Sequence, residues 1–210
     1  MSTSRRNFLL TAGALAASLP ASQVWAQSVD DEKLMKAGPL GEMAIGDEKA
    51  PVTIVEYASA TCPHCANFHK GTFKALKEKY VDTGKVRFVF REFPFDNASL
   101  AAFMLARCAP KDKYFPMIDI LFEQQRSWAG QGADVRGELF KIARLAGFTE
   151  KTFEECLKNE EIAKGVIAVR DVGTELGVAS TPTFFINGSK MTGNNGIGQF
   201  EAMIKPLLSN

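Results

Sequence analysis

Histidine and cysteine are scarce in this chain of 210 residues: two of the first and four of the second. There is no second CxxC and no HxxxH, so the four-ligand set that a structural zinc site needs is not spelled out anywhere. Charge is as unremarkable, with 25 Lys and Arg against 24 Asp and Glu, so nothing marks the chain for nucleic acid or an anionic membrane surface. Long apolar runs are also missing. The best candidate, Phe8 to Leu19, is too short and too rich in Ala and Gly for a membrane span, which needs roughly 20 apolar residues. No internal repeats or low-complexity tracts interrupt the sequence.

What is there begins with "MSTSRRNFLLTAGALAASLPASQVWA". Arg5 and Arg6, a moderately apolar segment and small residues before Gln27 read as an export signal cut near Ala26, although an amphipathic first helix is the competing reading. "SRRNFLL" resembles a twin-arginine signal but lacks the lysine common after the apolar pair, so ordinary secretion stays open. No cysteine follows the cut, which argues against a lipid anchor. Removal of residues 1–26 takes away two arginines and no acid, leaving 184 residues with 23 basic and 24 acidic side chains, enough for one good core. Export to the periplasm also sets the redox conditions, because thiols beyond the membrane can be oxidised.

Residues 27–48 are polar and mixed and read as a lead-in arm. "PVTIVEYAS" (51–59) and "KVRFVFREFP" (85–94) are β-branched apolar runs of strand length. Between them Phe68, Thr72, Leu76 and Tyr80 recur every four residues, which predicts a helix of about 18 residues and so a βαβ crossover. Residues 97–177 are helical in pattern throughout and form an inserted helical subdomain, whose aromatic-rich "YFPMIDILFEQQRSW" reads as insert core rather than a partner-binding helix. After it, "TFFING" and "SKMTG" make a hairpin through an Asn-Gly turn, and "IGQFEAMIKPLL" closes the chain as an amphipathic helix. The fold class is therefore α/β: a first half at 49–96 and a second half at 178–210 build one small mixed sheet around the insert. "GNNGIG" (193–198) follows a hairpin instead of opening a βαβ unit, so a turn is expected there rather than a phosphate loop. The formal glycosylation triplets "NAS" and "NGS" carry no weight beside a bacterial type of signal.

The chemistry concentrates in "YASATCPHCANFH" (57–69), which holds Cys62, Cys65 and both histidines. Two thiols separated by two residues suit zinc, a strained disulfide or redox exchange alike. Cys62 falls where the strand ends and the helix begins, and Pro63 fits the first helical turn because its missing N–H costs nothing there. The helix's free amides and positive end then face the Cys62 sulfur, and a protonated His64 adds a cation beside it; both lower its pKa. A stabilised thiolate is a good leaving group, so a disulfide through Cys62 is readily broken.

"CPHC" after a strand, a helical insertion and then "STPTFF" resembles the DsbA family of exported thiol:disulfide oxidoreductases, which have the thioredoxin fold, over roughly Pro51 to the end. The resemblance implies a depressed first-cysteine pKa and a strongly oxidising disulfide, with Cys62 as nucleophile and Cys65 as its buried resolving partner. Pro182 is similar to the family's cis-proline, whose loop pairs with substrate backbone in a groove expected to be apolar and exposed. Thr181 stands where the typical oxidase has valine and related reductases and isomerases often have threonine. Glu56 matches an acid beneath the disulfide that relays the proton of the buried cysteine; the competing reading is a solvated side chain on an exposed strand face. No cofactor beyond the Cys62–Cys65 disulfide and no metal are implied. The implied partners are reduced or misfolded exported proteins as substrates and a membrane quinone-linked, DsbB-like oxidase as reoxidant, with no nucleic acid. A dimerised proofreading isomerase would carry a larger amino-terminal domain than this arm, which favours an oxidase and a monomer. A disulfide reductase or isomerase, and a noncatalytic metal- or protein-binding module, are the competing functions.

His69 shares a predicted helix face with Cys65, and an ordinary, partly exposed helix position is expected for it rather than a ligand. Cys108 and Cys156 lie on core-facing stripes of the insert, where two buried free thiols would be unexceptional. In an oxidising compartment they are expected to pair, and some members of the resembled family carry an extra disulfide in the insert.

Overall fold

Five strands form one sheet in the computed structural model, which describes residues 30–209. They are β1 (Met43–Ile45), β2 (Val52–Ala58), β3 (Val86–Glu92), β4 (Thr183–Ile186) and β5 (Ser189–Thr192), in spatial order β1-β3-β2-β4-β5. Strands β2 and β3 are parallel, with Glu56 opposite Phe90, and every other pairing is antiparallel. The Asn-Gly turn lies where the sequence places it, Asn187 and Gly188 both taking positive φ between β4 and β5. The export signal expected at residues 1–26 lies outside the described residues.

Alternation along β2 sends Val52, Ile54, Glu56 and Ala58 to one face and Val55 and Tyr57 to the other. The first face is covered by α2 (Pro63–Lys70), α3 (Thr72–Leu76) and the closing helix of residues 197–208, whose Phe68, Phe73, Phe200 and Ile204 pack on Phe88, Phe184 and Ile186. The single helix expected after Cys62 is broken: Gly71, at φ −120° and ψ −88°, ends α2, and after α3 the chain closes in a wider π turn at residues 77–81. The four-residue periodicity survives because the break leaves Phe68, Leu76 and Tyr80 buried.

Residues 27–48 do more than lead in. Asp31–Met35 forms a short helix, α1, that buries Leu34 on the second face, and β1 adds an edge strand to β3.

The insert comprises α4 (Asn97–Cys108), α5 (Tyr114–Glu123), α6 (Gln125–Trp128), α7 (Val135–Leu145), α8 (Glu150–Leu157) and α9 (Glu160–Glu175). Asp96, Asp134, Thr149 and Asn159 each accept backbone N–H bonds at helix starts, so the helix boundaries are written in the side chains. Tyr114, Met117, Ile118, Leu121, Phe122 and Trp128 are all buried, which makes the aromatic stretch core. The last helix does double duty: α9 also covers the second sheet face, where a Cβ on Gly173 would come within 2.6 Å of the Tyr57 ring. The closing helix is α10 (Ile197–Leu208); of the stretch 193–198 where a turn is expected, the chain bends at Gly193 (φ 89°) and residues 197–198 already belong to the helix.

Two covalent and ionic ties hold the insert together and to the sheet. Cys108 and Cys156 are joined, linking α4 to α8 across a 48-residue separation. On the chain-entropy model such a loop closure contributes about 4 kcal/mol. At the end of β3, fully buried Glu92 accepts hydrogen bonds from Arg107 Nε and Nη2 and, at 2.7 Å, from the Tyr114 hydroxyl. Arg107 Nη1 also donates to the carbonyl oxygens of Leu40 and Gly41, so one guanidinium joins β3, α4 and the lead-in segment. Removing one partner of a buried ion pair strands the other's charge, which costs roughly 3–5 kcal/mol. Arg107→Ala is therefore expected to lower the unfolding free energy by about that amount in urea titrations. An unchanged midpoint would show that this tie carries nothing.

Candidate active site

Strand β2 runs out at Ala58 and the chain turns through residues 59–62 into α2, leaving Cys62 as an extended N-cap residue (φ −76°, ψ 119°) with Pro63 behind it in the first turn. The turn is pinned from the insert. Ser99 Oγ accepts from the Ala60 N–H at 2.9 Å and lies 3.0 Å from Ser59 Oγ, while the Thr61 hydroxyl donates to Asp96 at 2.7 Å. From α6, buried Gln125 donates through Nε2 to the carbonyl oxygens of Ala60 and Cys62, at 2.7 and 2.9 Å. The Cys62 sulfur is thus fixed by groups more than thirty residues away in sequence.

The two sulfurs, both thiols here, sit in opposite surroundings. Cys62 is half-buried and its pKa is lowered to about 5. The Cys65 thiol, hydrogen-bonded to it, contributes most; partial burial opposes; the Thr181 hydroxyl and then the backbone N–H groups of Cys65 and His64 add to the lowering. Cys65 is fully buried, and burial pushes its thiol well above the ordinary range, with the Cys62 hydrogen bond and the Glu56 charge acting in the same direction. The helix start therefore does what the sequence implied, but the His64 contribution comes from its main chain. Its imidazole is exposed and is not among the groups acting on Cys62.

The Thr181–Pro182 peptide is cis and lies against the pair: the Cys62 thiol donates to the Thr181 carbonyl oxygen at 3.2 Å. Thr181 Oγ1 is buried without a hydrogen-bond partner, a donor held ready for a Cys62 anion. Pro182 is itself buried, so the surface beside it is not its own ring; Ala179 and Ser180, just before it, are exposed.

Beneath Cys65, Glu56 is fully buried between Phe90 and Phe184 on the neighbouring strands, which excludes the solvated-strand reading. Its Oε2 lies 2.8 Å from His69 Nε2. The expectation of an ordinary, partly exposed His69 is overturned: the residue is buried, stacked on Phe122 with ring centroids 4.3 Å apart and flanked by Phe68, Phe73 and Phe90. Helix α2 is covered by α5, which the helical periodicity of α2 alone did not reveal. The structure thus brings Cys62, Pro63, Cys65, Thr181, Pro182 and Glu56 to one place, with the His64 side chain at its outer edge and Cys108–Cys156 elsewhere in the insert. Sequence reasoning missed Ser99, Asp96 and Gln125: Ser99 is a lone polar residue on an apolar helix stripe, Asp96 is a helix N-cap with a second partner, and Gln125 opens a short polar helix.

A family model described as Thioredoxin matches residues 39–206. A Rickettsia conorii protein provisionally named a protein-disulfide oxidoreductase is 37% identical over 169 residues, covering 80% of this chain and 60% of its own length. Disulfide bond formation protein D of Bacillus subtilis is 28% identical over 156 residues, covering 70% of this chain and 68% of its own. The crystal structure of Wolbachia pipientis alpha-DsbA1 superposes with a TM-score of 0.78 at 32% identity, covering 84% of this chain and 95% of that one. The chain spans only 54–63% of the length of the Rickettsia relatives it matches.

A thiol whose folded pKa is depressed stabilises the native dithiol form at pH values above the unfolded pKa and loses that contribution as pH falls through the folded one. Between pH 9 and pH 5 the dithiol form is therefore expected to lose stability relative to the disulfide form, whose Cys62 does not titrate, as followed by paired urea titrations. Thr181→Val removes a donor to the anion and should raise the Cys62 pKa and shift this window upward. An identical pH dependence in the variant would show that the hydroxyl does not reach the sulfur.

Proposed function

The chain belongs to the DsbA family of thioredoxin-fold proteins, and from that premise we propose that it is an exported protein disulfide oxidoreductase that inserts disulfide bonds into periplasmic proteins. A substrate thiolate attacks the Cys62 sulfur, the Cys62–Cys65 bond breaks and its electron pair leaves with Cys65, which takes up a proton. A second substrate thiolate then attacks the substrate sulfur of the mixed disulfide and expels Cys62 as a thiolate. The substrate has lost two electrons and two protons; one proton sits on Cys65 and the other is released at neutral pH.

The observation that carries this direction is the inequality of the sulfurs. A Cys62 thiol with a pKa of about 5 makes the reduced pair stable as an anion, and what stabilises the reduced form makes the disulfide oxidising. Thr181, which in the family hints at a reductase or isomerase, here lowers the Cys62 pKa and so works in the oxidase's favour. The exposed residues Ala179 and Ser180, ahead of buried Thr181 and Pro182, would offer an edge to an extended polypeptide, where main-chain contacts give little sequence preference. Because the disulfide is the redox group, the reaction needs no further cofactor. Turnover needs reoxidation, assigned to a quinone-linked membrane oxidase, and the protein is expected to act as a monomer.

Equilibration with glutathione tests the direction: the reduced pair should be much more stable than that of a reducing thioredoxin, and a comparable or lower stability would leave the reductase reading in its place. Cys62→Ser should abolish exchange with a reduced protein substrate, whereas the lone Cys62 thiolate of Cys65→Ser should attack a disulfide-bonded substrate, expel one of its thiolates and accumulate as a mixed disulfide. Retained turnover in Cys62→Ser would assign the chemistry to other residues.

A further inference from the structure

Two buried polar atoms in the pair beneath the active site have no hydrogen-bond partner: Glu56 Oε1 and His69 Nδ1. They are the outer ends of one unit, since Glu56 Oε2 and His69 Nε2 face each other at 2.8 Å. Neither a carboxylate oxygen nor an imidazole lone pair can donate, so the hydrogen bond exists only while a proton sits between Nε2 and Oε2. A second proton on Nδ1 would not disturb it. On the Glu56 side the carboxylate acts on Cys65, the sulfur that needs a proton each time the disulfide opens. His69, its side chain 3% exposed, also lines a cavity of about 310 Å³ between α2, α3 and α5, shared with Phe73, Phe122 and Asp119.

We propose that His69 is the positioning residue of the proton relay to Cys65: it fixes Glu56 by the Nε2 hydrogen bond and carries protons between that carboxyl and solvent in the cavity. The step rests on the exchange reaction proposed above. When the disulfide breaks, a proton enters at Nδ1, the bridging proton moves from Nε2 to the carboxyl, and the carboxyl gives one to the Cys65 thiolate. The pair ends with the proton count it began with but with the ring proton on Nδ1, and reoxidation returns it to Nε2. Reoxidation runs the same path backwards, the Cys65 proton leaving by way of Nδ1. An imidazole suits the task because its two nitrogens let a proton arrive on one side while another departs from the opposite side.

The charged groups around His69 are Glu56 from β2, Asp119 and Glu123 from α5, and Lys70, Lys74 and Lys77 from its own helix and the turns after it. Burial raises the Asp119 carboxyl's pKa, and the nearby His69 charge acts in the opposite direction. The four phenylalanines around the imidazole exclude competing hydrogen-bond partners.

His69→Gln separates positioning from transfer, because an amide can donate to Glu56 but cannot pass a proton through itself. The pH–rate profile of disulfide reduction by dithiothreitol should show wild type faster than His69→Gln by roughly a hundredfold near neutrality, the lower end for a positioned acid–base group. His69→Phe, which fits the aromatic cage but can neither donate to Glu56 nor pass a proton, should lose at least as much. Glu56→Gln should show a similar loss, and the Glu56→Gln, His69→Gln double variant should lose no more than either single change, since both lie on one path. The Cys62 thiolate titration should remain that of wild type in His69→Gln. A His69→Gln profile coincident with wild type, or additive losses in the double variant, overturns the relay while leaving the exchange reaction standing. Failure of the wild-type disulfide to react at all would instead remove the reading on which the relay rests.

Discussion

A sulfur anion held at the start of a helix organises this molecule. The Cys62 thiolate is favoured by a thiol, a hydroxyl and two backbone N–H groups that converge on it, and each is there because something else holds it. Pro63 starts α2 without a donor of its own, so the next two amides face the sulfur unpaired. Strand β4 delivers Thr181 and Pro182 from the far end of the chain, through pairing with β2 that runs from Ile54 to Tyr57. Charge stabilisation by fixed dipoles is strongest where the dipoles cannot relax, and the pinning of residues 59–62 by Ser99, Asp96 and Gln125 supplies that rigidity.

The insert is therefore part of the site as well as a cover for it. Its helices fix the active-site turn on one side and bury His69 on the other, through Phe122, while Arg107 and Glu92 bind it to the central sheet. The asymmetry between the sulfurs follows from the same arrangement. Cys62 sits at the rim within reach of donors, and Cys65 sits on the buried face of α2 near a carboxylate. One sulfur is kept as an anion and its neighbour as a neutral thiol, which is what a disulfide poised to be surrendered requires.

Much of this was legible in the residues. The β-branched runs gave β2 and β3, the Asn-Gly pair gave the β4–β5 hairpin, and strand-to-helix placement with Pro63 announced the depressed cysteine. The cis geometry at Pro182 came from family resemblance alone, because nothing local distinguishes it from a trans bond that opens a strand. Strand β1 was hidden because three residues at a sheet edge carry too little periodicity to separate from coil, and their pairing with β3 is a tertiary fact. The break at Gly71 was masked because the periodicity resumes in phase after it. His69 was misjudged for a related reason: whether a helix face meets solvent or a second helix depends on where the insert folds back. Gln125 and Ser99 were invisible in the same way, since their partners are backbone atoms that no sequence pattern names.

The most direct test of the account is a titration of the reduced protein followed by the ultraviolet absorbance of the thiolate, with Cys62→Ser as the blank. The Cys62 signal should appear with a midpoint near pH 5. A midpoint at about 8.5, that of an unperturbed cysteine, would contradict the claim that the fold stabilises this anion, and the oxidising role would fall with it.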